Sequence, residues 1–242
     1  MIIYEGPSIL DGAPIAVIAT FGSRNPKTGT MIQTYIIRTD MSPMEASKAG
    51  KDSSVCGSCI HRHSLGGGCY VTLFHAPLSV YKAYKRGSYK SLQDDPKLIK
   101  KFYKANIRAG SYGDPAAVPV HVWQQLKDVA SGWTGYTHQM KHKRFDAAIL
   151  DYAMVSADTP KQALSYHAKG LKTFRVSIEG APILPNEIEC SNTSDEGLTC
   201  AQCLKCDGAS HKGKNIVITV HGTRSKRYTD KYTNANLIAV GG

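Results

Sequence analysis

The chain has no run approaching the roughly 18 consecutive apolar residues that a membrane helix needs, so no membrane partner is expected. Its first seven residues show no basic stretch leading into an apolar run, which argues against a secretory signal. With neither feature, a reducing cytoplasm is the expected compartment, and disulfides are uncommon there. Several nucleotide and hydrolase signatures are also missing. There is no Gly-x-Gly-x-x-Gly, no Walker loop and no Ser-centred nucleophile elbow. Gly66-Gly67-Gly68 lacks the Lys-Ser/Thr that a phosphate loop requires. Acidic residues are scarce, with 19 against 30 basic ones, which gives a formal charge of +11. Filling two thiolate sites with metal would lower that by roughly 3 units and leave the protein basic. A basic surface suits nucleic acid or another acidic partner.

Cysteine is present in a telling amount. Seven is an odd number, which a closed disulfide set does not explain. A 242-residue chain, 42% hydrophobic, can also bury a core without covalent staples. The cysteines are therefore expected to be metal ligands. The sharper group is Cys190 with Cys200-Ala-Gln-Cys203-Leu-Lys-Cys206. Three thiols at C-x2-C-x2-C surround one small centre, as in the bacterial ferredoxin run, with Cys190 as the fourth ligand. That spacing points to a [4Fe-4S] cluster, with four-cysteine zinc as the alternative. The other group is Cys56-Gly-Ser-Cys59-Ile-His61-Arg-His63, closed by Cys69 after three glycines that let the backbone fold back. It suits a second [4Fe-4S] centre or a Cys3His zinc site, with His61 or His63 as the fourth ligand.

The chain reads as a single domain. Residues 1–45 form a β region, in which runs at 15–21 and 33–38 flank a Gly/Pro/Asn loop and suggest a strand pair. Residues 46–76 carry the first cysteine loop. Residues 77–104 read as a helical insert, broken by Gly87 and Pro96, in which Tyr81, Tyr84, Tyr89 and Tyr103 alternate with lysines. Such a mix can stack bases and hold phosphates, or simply form an amphipathic surface. From residue 105 to 242, strand-like runs at 106–109, 133–136, 152–155, 173–176 and 216–220 alternate with helical runs at about 120–130 and 160–168. Successive starts lie roughly 19 to 27 residues apart until the second cysteine loop at 190–206 intervenes. This is the rhythm of an α/β protein with a parallel sheet. Too few units are present for an eight-fold barrel, so a partial or irregular β/α barrel is expected. Asp114, His138, Asp158 and His221 follow the strand-like runs, where α/β sites gather. They are the candidates for substrate contact or proton transfer.

The segments Cys56-Gly-Ser-Cys59-Ile-His61-Arg, Gly113-Asp114-Pro115, Trp133-Thr-Gly-Tyr-Thr-His138, Thr173-Phe-Arg-Val176, residues 199–208 and Val220-His-Gly222 together resemble a family of phage-encoded cysteine-rich proteins. The resemblance spans roughly residues 16–223 and implies a viral origin and work in the host cytoplasm. The Gly-Asp-Pro turn after a strand is similar to a feature of radical-SAM barrels, although the C-x3-C-x2-C loop of those enzymes is absent. The expected protein is thus a phage iron–sulfur protein with redox or radical-type activity. The alternative is a non-catalytic, zinc- or cluster-stapled protein that binds nucleic acid or a host protein.

Overall fold

The computed structural model describes residues 1–23, 25–194 and 197–240, with side chains through residue 232. Nine strands form one sheet: β1 Ile2–Pro7, β2 Pro14–Thr20, β3 Ile32–Arg38, β4 Asn106–Tyr112, β5 Gly132–Thr137, β6 Met154–Ala157, β7 Thr173–Ser177, β8 Glu187–Glu189 and β9 Asn215–Thr219. Their spatial order is β1-β2-β3-β4-β5-β6-β7-β9-β8. The β1–β2 and β2–β3 pairs are antiparallel, and every pairing from β3 onward is parallel. The α/β expectation therefore holds. The strand pair expected around residues 23–29 is β2–β3.

Burial explains which strands could be read from the sequence. Ile15 through Ala19 in β2 are fully buried, so that strand shows as a continuous apolar run. The two edge strands carry weaker signals. β1 turns Glu5 outward, and β8 has two acidic residues among its three. Glu187 of β8 is nonetheless fully buried, because Arg175 of β7 grips it with Nε at 2.8 Å and Nη2 at 2.6 Å. Ser177 and the Pro182 carbonyl accept two further guanidinium hydrogen bonds.

Helices α1 Pro43–Lys48, α2 Ser53–Cys56 and α3 Ala76–Lys85 lie in the long connection between β3 and β4. The expected helical insert is thus α3 followed by a 3-10 segment at Pro96–Phe102. α1 begins with a full capping box, Ser42 and Glu45 satisfying each other's backbone N–H groups, with Pro43 in the first turn. α4 Val120–Lys127 and α5 Pro160–His167 are the βα helices, each ending slightly before its expected limit. α6 Cys200–Cys203 and α7 Ser225–Val240 complete the chain. No described helix is long and apolar enough to cross a membrane. The main core gathers around Trp123, Phe102, Ile15, Ile18 and Ile107. Trp123 donates to the Pro115 carbonyl at 3.1 Å, which ties α4 to the turn after β4.

Candidate metal centre

Parallel strands deliver their C-terminal ends to one rim of the sheet. Asp114 follows β4, His138 follows β5 and Asp158 follows β6. Asp114 is buried, and its carboxylate is occupied by the backbone. Oδ1 accepts from the Ala116 N–H at 3.0 Å, and Oδ2 accepts from the His138 N–H at 2.8 Å and the Gln139 side chain at 3.0 Å. It positions the rim rather than facing a ligand. His221 stays outside this group: its Nδ1 faces the Thr219 carbonyl at 3.0 Å, and its ring centre lies 6.4 Å from that of Tyr70.

His138 and Asp158 do come together, and His61 of the first cysteine loop joins them. Nε2 of His61 lies 3.0 Å and Nε2 of His138 lies 3.1 Å from the same oxygen, Asp158 Oδ1. Among the described residues this is the one trio of possible metal ligands whose donor atoms all lie within 4.8 Å. Burial disfavours the Asp158 carboxylate, but the two histidine hydrogen bonds outweigh it and hold the group well below the usual carboxylate range. Burial likewise opposes charge on His138. The Cys59 sulfur and Asp158 overcome it and raise the imidazole well above its usual range. His61 also stacks on Tyr228 of α7, with ring centres 5.0 Å apart. His63, the other candidate in this loop, turns away and binds the Val71 carbonyl at 2.7 Å.

The first cysteine loop packs against this rim. Cys59 Sγ lies 3.9 Å from His138 Nε2. Burial raises the Cys56 thiol well above its usual range, and Cys59 and Cys69 push it further, so the three sulfurs share one neighbourhood. Burial, with a smaller contribution from Cys59, lifts Cys69 to about 11. Gln139, fully buried, fixes the loop. Its amide donates to the Cys56 carbonyl at 3.1 Å and accepts from the Ser58 N–H at 3.0 Å. Gly57 must be glycine here: its φ is +56°, and a Cβ would fall 2.1 Å from Gln139 Oε1. The glycine turn also behaves as its composition implies. Gly67 lies so close to His61 that a Cβ would meet its carbonyl carbon at 2.3 Å, and the Cys69 N–H donates to the same carbonyl at 3.0 Å. Asp52 locks the loop base by accepting from Arg62, the Ser64 N–H and the Ser64 hydroxyl.

The second cysteine group is drawn together from two places. Cys190 follows β8 and donates its N–H to the Val217 carbonyl at 2.8 Å. Cys200 to Cys203 form α6, capped by Thr199 and Gln202 and ended by Leu204 in the left-handed region at φ +50°. The Cys200 N–H donates to the Lys27 carbonyl at 2.9 Å, so this loop reaches the β2–β3 turn. Cys206 and Cys190 share an apolar cluster with Met154 and Ile216. Burial first, then the charges of Cys190, Cys200 and Cys203, push the Cys206 thiol up to about 12 despite a hydrogen bond from Tyr136. None of the seven cysteines is in a disulfide.

Arg108 of β4 lies between the two regions. It is buried, donates to the Tyr70 hydroxyl at 2.7 Å and sits 5.3 Å over the Tyr136 ring. Burial opposes its charge, and Tyr70, Tyr136 and Cys200 together outweigh that and hold it ionised. Sequence reasoning missed both Arg108 and Gln139. Only their places, one within a strand and one directly after His138, hint at a role. Comparison with protein-family models, curated proteins and solved structures finds no match to this chain.

Proposed function

We propose that the chain binds iron–sulfur centres through its two cysteine groups and is a phage-encoded redox or radical-type enzyme of the host cytoplasm, belonging to the cysteine-rich phage family that its motifs resemble. The observation that carries this reading is the packing of partly buried Cys190 against the cluster that holds buried Cys206, with Cys200 and Cys203 close enough to influence Cys206. Thiols brought together from two segments, Cys190 and residues 200–206, suit a shared centre.

The donor set, all sulfur, suits an iron–sulfur cluster, with four-cysteine zinc as the alternative. A tetrahedral zinc with bonds of about 2.3 Å holds its sulfurs about 3.8 Å apart. Cys190, Cys200, Cys203 and Cys206 would hold one centre and Cys56, Cys59 and Cys69 the other. When bound, such a centre supplies one-electron transfer. The chain's own residues set its surroundings. Arg108 places a fixed positive charge beside Cys200, and the strand ends bring His138 and Asp158 to the rim of the sheet beside the first cysteine loop. The reach of the second cysteine loop to Lys27 supports a sheet that curls into a partial β/α barrel of radical-SAM-like character.

The test is a reduction series on anaerobically purified protein, followed by visible absorption. A broad band that bleaches on adding dithionite and returns on re-oxidation supports the reading. A colourless protein that does not change rejects it. A second reading is favoured by a specific surface. Lys82, Lys85, Arg86, Lys90, Lys97, Lys100, Lys101 and Lys104 are all exposed along residues 82–104, beside exposed Tyr103. That exposed basic run fits nucleic acid or an acidic host protein, with the metals as staples. DNA binding that weakens steeply with added salt would support it.

A further inference from the structure

We propose that His61, His138 and Asp158 form a separate binding site for a single divalent transition-metal ion on the rim of the sheet, beside the cysteine groups and independent of what they hold.

The geometry of the donor atoms supports this. Two imidazole nitrogens of the same type, both Nε2, converge on one carboxylate oxygen at 3.0 and 3.1 Å. Adjacent ligands of an octahedral ion with bonds of about 2.1 Å stand about 3.0 Å apart. The two ring planes meet at 67°, with centres 5.9 Å apart, so their Nε2 edges face a common point instead of stacking. All three side chains are partly buried, with 15 to 20% of their surface accessible, which limits the water that reaches the donors.

The obvious rival is a Cys–His–Asp relay, because Cys59 lies 3.9 Å from His138. A relay needs the thiol on one ring nitrogen and the carboxylate on the other. Here Cys59 and Asp158 both face Nε2 of His138, so one proton on that nitrogen cannot serve both roles.

The ligand chemistry narrows the ion. Two imidazoles and one carboxylate, with no thiolate inside the trio, suit Fe(II), Co(II) or Zn(II) and leave coordination positions open. The elements that present these residues are rigid. Asp114 and Gln139 hold the His138 backbone and side of the loop, Gln162 accepts from the Asp158 N–H at 2.9 Å, and Tyr228 backs His61.

The experiment titrates the protein as purified, under anaerobic conditions, with Co(II) alone, and reads the visible d–d bands together with near-ultraviolet thiolate charge-transfer bands. The expected result is one equivalent per chain with d–d bands and no new thiolate band. Asp158→Asn and His138→Ala should each weaken uptake more than about 100-fold, since losing a ligand exceeds the 10–100-fold effect of losing a ligand's supporting partner. The control His221→Ala, outside the trio, should retain it. Because either variant could fail to fold, the wild-type protein is also treated with diethyl pyrocarbonate, with and without Co(II). Selective protection of His61 and His138, mapped by mass spectrometry, supports the site without any substitution. Unchanged uptake in a folded Asp158→Asn protein, equal modification of His61 and His138 with and without Co(II), or a thiolate band abolished by Cys59→Ser would overturn it. The diethyl pyrocarbonate readout is independent of whether the cysteines carry iron.

Discussion

Nε2 of His138 lies 3.1 Å from Oδ1 of Asp158, and the parallel register of β5 and β6 makes that contact. Each strand ends at the same rim, so residues 20 positions apart in the chain become side-by-side partners. The placement of the rim depends on Gln139, which links the His138 segment to Asp114 and to the first cysteine loop.

That dependence gives a first prediction. Gln139→Leu keeps the side-chain volume but leaves the Cys56 carbonyl, the Ser58 N–H and one Asp114 oxygen without this partner. Each unsatisfied buried group costs about 1–3 kcal/mol. Urea unfolding should show a loss of at least about 2 kcal/mol, and bound metal per chain should fall. Unchanged stability would mean that Gln139 does not organise the loop.

Gly57→Ala should be more damaging than its size suggests. The new methyl would collide with Gln139, and the φ of +56° is costly for alanine. We expect a metal-depleted protein whose first cysteine loop is cut faster by protease. Wild-type proteolysis and metal content would remove the strain argument.

Much of this was legible in the sequence, and the remainder has identifiable physical causes. β2 could be read because Ile15 through Ala19 are buried on both sides. The βα rhythm placed Asp114, His138 and Asp158 at strand ends, and the glycines at 66–68 indicated a tight turn. β8 could not be read, since Glu187 looks solvent-facing until Arg175, twelve residues away, encloses it. His61 meets Asp158 across 97 residues, a contact that only the sheet order creates. Asp114 resembled a reactive group, yet its oxygens bind backbone and Gln139, because a short Asp ahead of a Pro turn is well suited to capping.

The Arg175–Glu187 pair supplies a third prediction. Both side chains are fully buried, so removing one leaves an uncompensated charge. Arg175→Met and Glu187→Leu should each cost about 3–5 kcal/mol, while the double variant should recover most of that loss. A double-mutant cycle by denaturant unfolding checks it. Additive losses would show that the two residues act separately.

Alkaline stability gives a fourth. Burial raises the Tyr112 hydroxyl well above the ordinary value near 10, and Cys56, Asp52 and Cys69 raise it further. The folded state therefore keeps a proton that the unfolded chain has lost. Its contribution is fully present below pH 10 and declines as pH rises above it. Tyr112→Phe removes this ionisation, so stability should fall less steeply above pH 10 than in the wild type. An identical alkaline slope would contradict the burial argument.

The central claim is that the cysteines hold iron–sulfur centres. The most direct measurement is the iron, acid-labile sulfide and zinc content of one anaerobically purified sample. Iron and sulfide should appear in roughly equal amounts, about four of each per cluster, with little zinc. Stoichiometric zinc without sulfide would contradict it and leave the basic face at residues 82–104 as the better guide to function.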